Sequence, residues 1–215
     1  TVRLLPELTP IEDFDTTGTG IRAFCDTLLH APRPVRIAFL GDSFVEGDIL
    51  TADLREKLQA AYGGGGTGFA PMASPLTGFR RTVHALTCRV LTPGEGFIGY
   101  GGIFEGDGVV VDNYSVRSNN GQAMFWTDPA VNARIDALAG YDLVILQYGL
   151  NIMQAGVHNY TGYSQQIEKM VDFVRRCFPG AAVLVLGVSD RSVKNDGRFE
   201  PMDALPHMTE SQRRA

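Results

Sequence analysis

The sequence predicts an α/β fold in which a central parallel sheet is covered by helices on both faces. Three observations predict it. Continuous apolar, β-branched runs occur at residues 35–40, 142–148 and 181–187, the pattern of strands buried on both sides. Segments with apolar residues at helical spacing alternate with them, as a sheet covered by helices requires. Each run ends near a glycine or a small polar residue. In such sheets the carboxyl ends of the strands are where ligands bind.

Residues 1–34 are a lead-in. Thr9 followed by Pro10 reads as an N-cap with proline at the first helical position, which predicts a short helix there. Residues 21–29 predict a second short helix, stopped by Pro32 and Pro34. The strand at 35–40 ends at Gly41. Residues 48–62 follow as a helix, with Leu50, Leu54, Leu58 and Ala61 on one face and Arg55, Glu56, Lys57 and Gln59 off it. Gly63 ends that helix as a C-terminal cap would.

Residues 63–127 break the alternation. Strands are expected at 82–91 and 108–112, separated by turn signals such as Thr92-Pro93-Gly94. We read a β-rich insertion over 68–112 within one domain spanning 1–215, with the chain returning to the main sheet near 114–118. Then come a helix at 129–138, the strand at 142–148, and a helix at 161–178. Ile167, Met170, Val171 and Val174 share one face of that helix. The strand at 181–187 and a last helix at 203–214 complete the chain.

The chain has 215 residues and a formal charge of -5. A basic footprint is absent, so nucleic acid is not an expected partner. No apolar run approaches the ~20 residues of a membrane span. Three cysteines, Cys25, Cys88 and Cys177, fit neither a zinc pattern nor a disulfide framework. Cys25 and Cys177 sit in apolar helical contexts and are expected to be buried thiols. Gly63, Gly65 and Gly68 satisfy G-x-G-x-x-G, but they follow a helix rather than a strand, which argues against dinucleotide binding. Glu46, Asp48 and Asp53 read as acids at a helix start rather than as metal ligands.

The strand ends hold the residues with chemical potential: Gly41-Asp42-Ser43, 118–121, Gly149-Leu150-Asn151 and Ser189-Asp190. Gly41 permits a sharp turn. Ser43 then projects above the sheet, where it could attack a carbonyl while nearby N–H groups hold the oxyanion. On the tripeptide alone, the plainer reading of Ser43 is a helix N-cap. Asn151 could aim its amide at the same oxyanion, or it could be a turn residue. Asn120-Gly121 alone is a common turn dipeptide. Together the three strand ends carry more weight than any one of them.

Gly41-Asp42-Ser43, then Gly121, then Gly149-Leu150-Asn151 resemble the first three blocks of the SGNH hydrolases, the GDSL-like esterases. The stretch 37–58 with Gly66-Thr67-Gly68-Phe69 is similar to bacterial cell-envelope O-acetylesterases of that family, which also carry a β-rich insertion after the first block. The resemblance implies a three-layer, flavodoxin-like α/β/α fold with Ser43 as nucleophile. It implies that the Ser43 N–H, the Gly121 N–H and the Asn151 side chain form the oxyanion hole. No cofactor or metal is implied. The expected partner is an acylated glycan, peptidoglycan or another polysaccharide. The implied location is the bacterial periplasm or the extracellular space, after removal of a signal peptide.

The sequence departs from the family in two places. Ile152 stands where the third block usually has Asp, and no Asp-x-x-His occurs. His207 follows Asp203 by four residues rather than three, His158 comes too early in chain order, and His30 and His84 precede the second block. The catalytic Asp and His are therefore expected beyond Ala215, with the C-terminal part of the domain. Serine esterase, O-acyltransferase and non-catalytic glycan-binding module are the three functions left open. The aromatics Phe97, Tyr100, Phe104 and Trp126 are core candidates or sugar-stacking candidates.

Overall fold

The computed structural model describes residues 10–71, 101–104, 107–189 and 191–215. Four strands form one parallel sheet: β1 (Val35–Gly41), β4 (Val109–Ser115), β5 (Tyr141–Gln147) and β6 (Ala182–Val185), in the order β4-β1-β5-β6. Side chains alternate across it, as a strand's period of two dictates. Ile37, Phe39, Val111, Leu143 and Ile145 face one side, where they pack with Phe24 of α1 (Ile21–His30) and Leu54 and Leu58 of α3 (Ile49–Tyr62). Ala38, Val144 and Leu146 face the other. There they meet Ile167, Met170 and Val174 of α5 (Thr161–Cys177) and Met208 of α6 (Leu205–Arg213). Fully burying one such side chain stabilises by roughly 1.5–3 kcal/mol. The predicted parallel sheet between two helical layers is what the chain adopts. Among the described residues, no helix is long and apolar enough to cross a membrane.

Several elements differ from expectation, each for a nameable reason. Residues 10–20 form no helix. Ile11 and Phe14 there are largely exposed, so the capping signal has no packed face to support it. Cys25 is exposed while Cys177 is buried. Arg55, expected off the apolar face of α3, is buried. It pairs with Asp48 at 2.9 Å and donates to the Val111 carbonyl at 3.2 Å. The buried residues of this helix are Thr51 and Arg55, whereas Leu50 is exposed.

Val109 to Asp112, expected inside the 68–112 insertion, pair with β1 in the central sheet. Ahead of them, β2 (Gly68–Pro71) and β3 (Gly101–Phe104) pair antiparallel. The expected strand at 82–91, with His84 and Cys88, and the aromatics Phe97 and Tyr100 lie outside the described residues, as does Asp190. Between β6 and α6, where no element was expected from the sequence, β7 (Ser192–Asn195) and β8 (Arg198–Pro201) form a hairpin. Asp196 and Gly197 both have positive φ, at 44° and 81°, as the two central residues of a type I′ turn do.

Candidate active site

β1 delivers residues 41–43 to the carboxyl end of the sheet. A Cβ on Gly41 would lie 2.4 Å from Val45 Cγ2, so glycine is what lets the strand turn directly into α2 (Ser43–Glu46). Asp42 is the N-cap of this short helix. Its Oδ1 accepts from the Phe44 N–H at 3.0 Å, and its carbonyl accepts from the Val45 and Glu46 N–H groups. The capping role weighed for Ser43 therefore falls to its neighbour. The Ser43 side chain is exposed, and none of the described residues hydrogen-bonds to its hydroxyl.

A buried polar network holds α2 from below. Asn113 Nδ2 donates to the Val45 carbonyl at 2.7 Å and to Thr51 Oγ1 at 2.9 Å. Ser115 Oγ donates to Asn113 Oδ1 at 2.7 Å. Asp48, which accepts from Thr51 and Arg55, joins this network to α3. Buried polar groups need such partners, and a satisfied set fixes one arrangement of the backbone above it.

Asn151 lies in the turn after β5. Its Nδ2 donates to Asp42 Oδ2 at 3.1 Å and to the Asn119 carbonyl at 2.9 Å. One carboxylate thus ties the serine turn to Asn151, with one oxygen for each. Gly121 sits at φ 95°, and a Cβ there would fall 2.0 Å from Met170 Sδ. Both its backbone and its space exclude a side chain. The Gly121 N–H donates to Asn119 Oδ1 at 2.8 Å. Asn119 therefore accepts from both groups expected to serve as oxyanion donors, through its carbonyl and through its side chain. Sequence reasoning assigned it no role. Its only signal was its place at the end of β4, because an acceptor role played partly by the backbone leaves no mark on residue type.

Asp42 is fully buried. Burial pushes its carboxyl above the ordinary value, against the Phe44 N–H, which holds it down. The Tyr148 and Tyr163 hydroxyls are pushed up as well, first by their own burial and then by the Asp42 charge.

Asp203 pairs with His158, at 2.8 Å, rather than with His207. The His207 ring lies against His158, centroid to centroid 4.7 Å. Asp203 also accepts from the Gly156 N–H at 3.0 Å, and that bond is the first cause holding its carboxyl below the ordinary value, ahead of His158. The group ties the loop after β5 to the start of α6. Among the described residues, no histidine hydrogen-bonds to Ser43. The acids near the start of α3 are separately engaged, Glu46 with Arg117 at 2.6 Å and Asp48 with Arg55. Among the described residues, no group of three or more His, Cys, Asp or Glu side chains could hold a metal ion.

A scan against known protein families finds no match for this chain. No curated protein matches it either. Among solved structures, a peptidoglycan O-acetylesterase is similar, with a TM-score of 0.61 and 19% sequence identity over 90% of this chain and 78% of that one. This chain therefore shares the α/β fold of that esterase, a central parallel sheet with flanking helices.

Proposed function

We propose that this chain is an SGNH-type serine esterase that removes O-acetyl groups from a glycan of the bacterial cell envelope, in the periplasm or outside the cell. In this reading Ser43 attacks the ester carbonyl. Asn151 and Gly121, with the Ser43 N–H, hold the tetrahedral oxyanion; its collapse breaks the ester C–O bond, frees the sugar hydroxyl and leaves acetyl on Ser43, and water then hydrolyses that ester to release acetate and restore the serine. The observation that carries the reading is the Asp42 bridge. One buried carboxylate caps the turn that presents Ser43 and grips the Asn151 amide. That juxtaposition is what a nucleophile and its oxyanion donor need. The fold shared with a peptidoglycan O-acetylesterase supports the substrate class.

A second reading is favoured by a specific observation. Serine is a weak nucleophile until a base takes its proton, and no described histidine bonds to Ser43. A glycan-binding module of the same fold would need no such base. Hydrolysis of 4-nitrophenyl acetate and of O-acetylated peptidoglycan separates the two. The esterase reading expects turnover by the intact protein and its loss, by more than about a thousandfold, in Ser43→Ala. The circular dichroism spectrum should not change, because the side chain is exposed. Retained turnover in Ser43→Ala would remove the serine mechanism.

A further inference from the structure

The 3-10 helix Gln122–Trp126 begins at the residue after Gly121. Phe125 anchors it, edge-to-face on Phe173 of α5 with centroids 5.4 Å apart. Trp126, the next residue, is 87% exposed. A tryptophan is usually highly buried on average, so its indole here is a large ring left open to solvent. Its surroundings are not apolar. A groove of about 450 Å³ runs between the 3-10 helix and the start of α5, lined by Gln122, Phe125, Trp126, Gln165, Gln166 and Lys169. Gln166 Nε2 donates to the Asn120 carbonyl at 3.0 Å, which fixes the groove wall to the residue before Gly121.

An aromatic ring open to solvent, flanked by three carboxamides, suits one chemistry best. A pyranose ring has an apolar C–H face that can lie on the indole and a rim of hydroxyls and acetamido groups that amides can both donate to and accept from. A peptide helix or a lipid surface would call for a continuous apolar stripe, and here the lining is mixed. We infer that this groove is a carbohydrate subsite. It holds sugar rings of the same glycan strand whose ester is presented to Ser43, with Trp126 as the platform. The inference rests on the esterase reading for the position of the ester, and on the groove alone for the sugar.

Trp126 is the single tryptophan of the sequence, so emission excited selectively at the red edge of indole absorption, where tyrosine does not absorb, reports this groove. The Ser43→Ala protein is titrated with chitohexaose, a peptide-free β-1,4 N-acetylhexosamine strand. A saturable emission change is expected, absent with free acetate. No change with chitohexaose overturns the subsite. A change that follows protein concentration instead of sugar assigns the groove to a second copy of the chain and overturns it too. Kinetics supply the second measurement. Trp126→Ala should raise KM for O-acetylated peptidoglycan about tenfold, equivalent to about 1.4 kcal/mol, and leave kcat/KM for 4-nitrophenyl acetate unchanged. Trp126→Phe should recover part of the loss. Equal effects on both substrates, or none on the polymer, refute the proposal. Retained hydrolysis in Ser43→Ala would overturn the esterase reading while a saturable sugar signal left the groove standing.

Discussion

Two polar clusters lie on either side of the serine turn, and they are built to opposite ends. The one beneath α2 joins Asn113, Thr51, Asp48 and Arg55, with Arg55 and Asn113 buried and bonded to backbone carbonyls of Val111 and Val45. The one above the strand ends joins Asp42, Asn119, Gly121 and Asn151, and there the buried carboxylate holds an exposed amide. The first cluster spends its hydrogen bonds on backbone position. The second spends them on the exposed Asn151 amide, which a ligand could reach, and on the buried Gly121 N–H beside it. The difference teaches that a buried polar residue near a site is not by itself a site residue. What matters is whether the group it holds is closed off or open.

Substitutions should separate the clusters. In the upper one, Asn151→Ala should lower kcat on an acetyl ester by about 100- to 1000-fold, the usual loss for one oxyanion donor. Stability should fall by about 1–3 kcal/mol, because the buried Asp42 carboxylate loses one of its donors. Unchanged kcat would remove Asn151 from the proposed site. In the lower one, Arg55→Ala should cost about 3 kcal/mol in urea unfolding, because Asp48 loses its ion-pair partner at the edge of the core. The kcat of the folded fraction should stay within a few-fold of the parent. A large kcat loss with unchanged stability would join the two clusters into one functional unit.

The smallest effect concerns pH. Burial raises the Asp42 carboxyl above 3.8 in the folded protein, so its charged form is disfavoured by folding. The stability linked to its proton is fully present below the unfolded value and is lost as pH rises through the raised folded value. Asp42→Asn has no such dependence at this position. The Tm of the wild type should therefore fall relative to that of Asp42→Asn as pH rises through this window. A difference in Tm that is flat with pH would show that folding leaves the Asp42 carboxyl at its ordinary value, and one that grew in favour of the wild type as pH rises would show that the carboxylate is stabilised; either overturns the burial argument.

The legible part of the molecule was the part written in local pattern. The runs around Ile37, Val144 and Val183 announced strands because most of their neighbours are apolar, and α5 announced itself through Ile167, Met170 and Val174. Ser43 and Asn151 could be picked out because each follows a strand by a few residues. What stayed hidden depends on distant partners. Arg55 looks like a solvent residue until Val111, 56 positions away, supplies its acceptor. The helix expected after Thr9 had a good cap but nothing to pack on. The hairpin at 192–201 is exposed on both strands and lacks apolar alternation, so only Asp196-Gly197 marked it.

The two bonds that end on Asn119 bear on selectivity between reaction stages. In an esterase of the proposed kind, the Gly121 N–H and one Asn151 N–H already have neutral carbonyl-type acceptors. A bound ester offers another neutral carbonyl, so exchanging one for the other gains almost nothing. The tetrahedral intermediate offers a full negative charge, and a charge-assisted bond is roughly twice as strong as a neutral one. Only the intermediate then has reason to draw these donors away from Asn119. The pre-engaged acceptor would work as a threshold that ground-state substrate does not cross, leaving the donors' strength to the species in which charge has formed.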